Sequence, residues 1–249
     1  VSKNNIEIPQ YSKAMILKVW LLATAPMAIL SWVIAPWLAN MFSDGAALVK
    51  ALIICLTTGL VWQFVLVLLL VKKEQGNIHW ATLKKSLWLN TPINPKTKTP
   101  NSKLWWITLL FILAFAIESA LPTPSVPAAR DLGVFLSSDT GKEFFHHAWG
   151  WYSLFLFMAL FNTVFGEELL FRGLLLPRMN KAFKSKDWLA NGILFGFYHL
   201  HVPWSIPAAL LDSFVLSYPT KRYKSAWIGI IVHSTQSIFF GIILLMLVV

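Results

Sequence analysis

The sequence predicts an all-α fold, a polytopic transmembrane helical bundle of about seven spans, and three observations predict it. Of its 249 residues 57% are hydrophobic and 13% charged, with mean hydropathy +0.62, whereas a soluble domain carries about 25% charged residues. The apolar residues form long runs separated by polar connections, the pattern of membrane helices. The basic residues crowd into alternate connections. Sixteen lysines and arginines lie in the head 1–13 and the connections 72–103, 178–187 and 219–225, while the intervening connections hold only Arg130 and Lys142. The net charge of +10 is therefore a topology signal rather than a nucleic-acid footprint, and it orients the N-terminus to the cytoplasm.

The elements follow in order. Residues 1–13 are a polar head, and with no cleavage-site pattern the first apolar run is read as a retained span. Spans are expected at 14–39, with Lys18 able to snorkel, and at 46–71, with Lys50 at the interface. The connection 72–103 contains Trp80, Leu83 and Leu87 at helical spacing beside Lys84 and Lys85, which predicts a short helix lying on the membrane surface. Residues 90–100 are turn-rich and expected to be irregular. A third span covers 104–121, with Glu118 near its far end, and 122–148 is a second connection. The fourth run, 149–177, carries acidic residues. The runs 188–200 and 205–218 fall short of the roughly twenty residues that cross hydrocarbon. With Pro203 and Pro207 between them, they predict a short or broken helix pair around a wet recess, where irregular backbone is tolerated. The last span is 226–249. Cys55 is the only cysteine, so no intrachain disulfide forms. The chain divides into N-terminal spans, 1–148, and a chemical core, 149–249.

The centre of that core is Gly166-Glu167-Glu168-Leu169-Leu170-Phe171-Arg172-Gly173. One ionisable side chain in a membrane helix costs roughly 2.5–3.5 kcal/mol on insertion scales, so three within six positions require a use. In a helix Glu168 and Arg172 are i, i+4 neighbours and can pair, which assigns them a structural role. Glu167 lies about 100° away and is left for chemistry. His199, at the end of the fifth apolar stretch, and His233, in the last span, come from two further helices. Counted at about 1.5 Å per residue from the basic ends, Glu167, His199 and His233 lie roughly 15, 17 and 10 Å deep, which brings them toward one shared site. Ser237 is one turn beyond His233 on the same face.

Other polar positions have plainer readings. Ser234 and Thr235 read as interhelical glue. His146 and His147 read as an exposed pair, and His201, two residues from His199, as facing away from it. Asp212 fits either glue or the recess wall.

A glutamate and two imidazoles in a wet membrane recess fit activation of water against an amide carbonyl. In one version Glu167 and His199 activate the water while His233 and Ser237 stabilise the oxyanion. In the other, Glu167, His199 and His233 hold zinc, which would lower the pKa of bound water. The His-Glu-x-x-His spacing of zinc peptidases is missing, so zinc ranks second and no cofactor is favoured. Two further classes fit the same residues. One is an inactive immunity or adaptor protein binding a peptide or membrane partner in the recess. The other is an ion or proton transporter built on discontinuous helices.

Glu167-Glu168-x-x-x-Arg172, then Phe195-x-x-x-His199, then His233 resembles the CAAX-processing and bacteriocin-processing (CPBP, or Abi) family of intramembrane endopeptidases. The resemblance covers residues 149 to the C-terminus; the earlier spans match only in being apolar. It implies an all-helical fold with a conical cavity open to the cytoplasmic side and to lipid. It also implies Glu167 and His199 as the water-activating pair, His233 assisting, and Phe195 as part of the site. The substrate would be a membrane-associated peptide or protein, which in eukaryotic CAAX proteases is a prenylated tail. Where the family usually has Asn four residues after the last histidine, this chain has Ser237, a donor of shorter reach. The implied location is a cell membrane, of a prokaryotic source, with lipid bilayer and substrate as partners and no nucleic acid.

Overall fold

The computed structural model describes residues 7–118 and 124–249. Lys3 of the charge pattern, the end of the expected third span and the side chain of Glu118 lie outside them. Helix α1 is Lys13–Ala39, opened by Ser12, whose side chain accepts the Met15 N–H at 3.2 Å. Helix α2 is Ala47–Gln75, stopped by Gly76 at φ 76°, the left-handed position that glycine adopts without strain. Helix α3 is Trp80–Ser86, α4 Trp106–Glu118, α5 Leu132–Ser137 and α6 Asp139–Phe145. Helix α7 is Trp149–Arg178 and α8 is Asp187–Tyr198. Helix α9 starts as Ile206–Asp212 and continues to residue 223, and α10 is Ala226–Val248.

No strand occurs among the described residues, in keeping with the predicted all-helical class. Of the seven expected spans, four are long and apolar enough to cross a membrane by length and composition: α1, α2, α7 and α10. Their outward faces carry apolar side chains such as Leu21, Val33, Leu69, Ile238 and Met246, which suit lipid. Helices α4 and α8 have only 13 and 12 residues. The surface helix expected near Trp80 is α3: Lys84 and Lys85 are exposed and Leu87 is buried. The 122–148 connection is more ordered than expected, since Asp131 and Ser138 side chains cap α5 and α6.

The bundle has two chemically different ends. At the basic end the N-terminal segment, the close of α2, α3 and the close of α7 are bolted together by Arg178. Its guanidinium reaches Glu74 (Nε to both carboxylate oxygens at 3.1 Å) and the carbonyls of Ser86 (3.0 Å) and Leu174 (2.8 Å). Read from sequence as one charge of a basic turn, Arg178 is fully buried. Tyr11 also bonds Glu74, and burial followed by that carboxylate raises the pKa of its hydroxyl. Lys221 pairs with Asp187. At the opposite end lie residues 40–46, 124–148 and the C-terminus, joined by His147 N–H donating to Val248 O at 3.0 Å. There Lys50 pairs with Asp44 and sits over the rings of Phe144 and Trp151, as an interfacial lysine does.

The expected broken pair is the α8–α9 hairpin. Its two helices nearly touch backbone to backbone: a Cβ added at Gly192 would lie 2.5 Å from Ser213 Cα. Between them the chain turns at His199–His201 and Pro203–Ser205. The carbonyls this releases are satisfied from α1, with Trp32 Nε1 donating to Leu200 O at 2.8 Å and Ser31 Oγ to His201 O at 3.0 Å. Arg130 braces the same spot, bonding Ser31 and stacking 3.9 Å from the Trp32 ring centre.

Candidate active site

Helix α7 is not uniformly wound. Wide π turns at Phe161–Gly166 and Leu169–Leu175 bracket Glu167 and Glu168, a device common at functional positions. The π turn needs outside help with its carbonyls, and Asn191 of α8 donates to Phe171 O at 2.8 Å. Ser217 of α9 in turn donates to Asn191 at 2.9 Å. The segment carrying the acids is therefore locked to the hairpin carrying His199.

The two glutamates divide as the spacing predicted. Glu168 Oε1 accepts from Arg172 Nη1 at 3.0 Å, and both side chains are fully buried. The same oxygen bonds His233 Nδ1 at 3.0 Å, which spacing alone could not reveal. A carboxylate only accepts, so Nδ1 carries the proton and Nε2 is left as the working nitrogen of His233. Arg172 stacks 3.8 Å from the centre of the Phe195 ring. Helix α10 approaches Glu168 through Gly229, where an added Cβ would come within 2.5 Å of Oε2.

Glu167, 2% exposed, takes a different partner. Tyr198 lies close enough to interact with it electrostatically, and Gln63 Nε2 donates to the Tyr198 hydroxyl at 2.7 Å. His199 Nδ1 lies 2.9 Å from Phe195 O; a carbonyl can only accept, so Nδ1 is protonated and Nε2 keeps its lone pair. Both imidazoles meet the Phe195 ring edge-on, His199 at 4.8 Å and His233 at 6.1 Å between centres. Phe195 is thus the shared wall on which they are set.

Glu167, His199, His233 and Ser237 all line one cavity of about 800 Å³, together with Phe195, Asp212 and His201. Glu168 and Arg172 lie behind it, 0% exposed. Asp212, left open by the sequence, is part of the wall. His201 corrects an expectation: rather than facing away, its ring stacks on that of His199 at 5.6 Å, because the helix ends at Tyr198 and the chain turns. Ser234 bonds Thr163 across α10 and α7 as interhelical glue, and His146 and His147 are an exposed pair. Among the described residues no three His, Cys, Asp or Glu side chains are gathered closely enough to hold a metal ion. Spacing also missed Tyr198 and Gln63, although Gln63 was visible as the lone amide in an apolar run.

Along α2, α4, α7, α8 and α10 the cavity-lining residues nearest the basic connections in sequence are Leu60, Ile112, Glu167, Phe195 and His233. Toward the basic end α7 is buried without a break from Gly166 to Met179. The described residues place the cavity in the half away from the basic connections.

Comparison with known proteins agrees with the motif. Residues 149–239 match the family model described as type II CAAX prenyl endopeptidase Rce1-like. No curated protein and no solved structure gives a match. The matched segment holds the paired glutamates, Arg172, Phe195, His199, His233 and Ser237, the residues on which the similarity to the CPBP family of CAAX-type membrane proteases rests.

Proposed function

We propose that the protein is a glutamate-dependent intramembrane endopeptidase acting on a membrane-associated peptide or protein. The observation that carries this reading is that a buried carboxylate, Glu167, and two tautomer-fixed imidazoles, His199 and His233, share one cavity. Glu167 and the free Nε2 of His199 hold a water and remove its proton as its oxygen attacks the amide carbon. Negative charge passes to the former carbonyl oxygen, to which Ser237 donates a hydrogen bond and His233 donates a second once its Nε2 is also protonated. The proton taken from water then goes to the leaving nitrogen, the C–N bond breaks, and acid and amine termini are released. Glu168 and Arg172 fix His233 from behind, and Tyr198 stands beside Glu167. No step is assigned to a metal.

The test is cleavage of a membrane-tethered peptide reporter by the purified protein in lipid vesicles. Cleavage should disappear in Glu167→Ala and His199→Ala while both variants accumulate and elute as the parent does. Retained cleavage in Glu167→Ala overturns the reading. Ser237, which stands where the family usually has Asn, gives weight to a second reading, an inactive immunity or adaptor protein that binds its partner in the same cavity. That reading requires binding without cleavage in the parent.

A further inference from the structure

We propose that the side-chain amide of Asn162 grips the main chain of the substrate, pairing with the peptide group next to the one that is cleaved. The inference rests on the peptidase reading for the word substrate, and on geometry for the grip. Asn162 follows the apolar stretch 154–161 of α7 and lines the cavity together with Glu167, His199 and His233. Among the described residues its side chain takes no hydrogen bond within the protein. An amide drawn into apolar surroundings without a partner is costly, so one held at a cavity wall has its partner to meet there.

The π turn is what brings Asn162 to that wall. In an α-helix, residues five apart lie about 140° round the axis from one another, on different faces. At Phe161–Gly166 the winding is wider, and the Glu167 N–H donates to Asn162 O. That i→i+5 bond closes one turn between the two residues and stacks them on the same face. Helix α2 clamps the turn: a Cβ added at Gly166 would lie 2.6 Å from Phe161 O and 3.2 Å from Leu60 O. On the other flank Ser234 of α10 bonds Thr163 at 3.2 Å, which sets the His233–Ser237 turn level with Asn162. One turn is about 5 Å along the axis, and an extended peptide advances about 3.4 Å per residue. With a carbonyl carbon at the water on Glu167, the neighbouring peptide group therefore comes to the height of Asn162. A carboxamide has an acceptor oxygen and an NH2 donor, the complement of a peptide N–H and C=O. Such a grip reads main chain rather than side chains. It selects an extended segment over a helical one, whose N–H and C=O groups are already paired.

The test is a binding cycle in the full chain carrying Glu167→Gln, so that the probe is not consumed. The probe is the membrane-tethered peptide of the cleavage assay, fluorescently labelled, beside analogues each N-methylated at one peptide group. With Asn162 present, the analogue methylated beside the scissile bond should bind about tenfold more weakly than the probe, as loss of one hydrogen bond does. Asn162→Ala should weaken the plain probe by a similar factor and abolish the difference between it and that analogue. Asn162→Leu, close in size, replaces this variant if it fails to accumulate. Unchanged binding in the Asn162 variant, or an N-methyl penalty that survives it, overturns the proposal. So does a penalty abolished instead by Gln236→Ala, the carboxamide on the α10 wall, or a probe that does not bind. Binding is read without cleavage. A protein that shows this coupling and cleaves nothing keeps the grip and defeats the peptidase reading, and one that cleaves the probe without the coupling does the reverse.

Discussion

Arg172→Met probes the buried charge that holds the site together. In the parent, Glu168 and Arg172 meet at 3.0 Å with both side chains fully buried, and only Nη1 of the guanidinium is hydrogen-bonded; Nε and Nη2 face the protein interior and the Phe195 ring. Removing the arginine leaves a buried carboxylate supported by His233 alone. Breaking a buried pair from one side costs about 3–5 kcal/mol, and for a chain of this size that lowers the melting temperature by about 6–20 °C. Removing both charges should be much milder, because the desolvation cost of each ion disappears with the attraction. The double variant Glu168→Gln/Arg172→Met should therefore be more stable than Arg172→Met while remaining inactive, since His233 loses the carboxylate that fixes its ring. The assay is thermal unfolding in detergent, followed by fluorescence-detected size exclusion, beside reporter cleavage. A single variant as stable as the parent, or a double variant no better than the single, would refute the argument.

Three other outcomes are expected. Gly229→Ala drives a methyl group to 2.5 Å from Glu168 Oε2, an overpacking that should cost about 1–3 kcal/mol in the same unfolding assay. Ser237→Ala should slow cleavage about 100-fold with little change in KM, as loss of one oxyanion donor does, whereas Ser237→Asn should keep the rate or raise it. Tyr198→Phe and Gln63→Leu act on one hydrogen-bonded pair beside Glu167. Each should slow cleavage, and the double variant should be no slower than the worse single, a coupling seen in a cycle of reporter rates.

The site was legible in sequence where chemistry follows helical spacing. Glu168 and Arg172, four apart, do pair, and Glu167, one residue away, does turn to a different environment. The convergence of Glu167, His199 and His233 also followed from counting depth along three helices, because the turns in a packed bundle fix where each helix starts. What spacing could not carry was the hydrogen bond from His233 to Glu168, which depends on how closely α10 approaches α7 at Gly229. His201 was misread because a helix was continued through it; Pro203 disfavours that course for the residue before it, and the chain turns at His199 instead. Four of the seven expected spans reach membrane-crossing length among the described residues. Apolar composition marks burial in protein as readily as burial in lipid, and α8 is a short helix packed into the bundle. Arg178 shows the converse, a charge counted toward topology that is consumed in a buried clamp.

The central claim is that the Glu167 carboxylate activates the water that cleaves the peptide. Its most direct test is the single-turnover cleavage rate of Glu167→Gln beside the parent in lipid vesicles, because the amide keeps the shape and hydrogen bonding of the acid but cannot take a proton. The account requires a loss of about 10²–10⁴-fold with the fold intact. A Glu167→Gln protein that cleaves within a few-fold of the parent would contradict it.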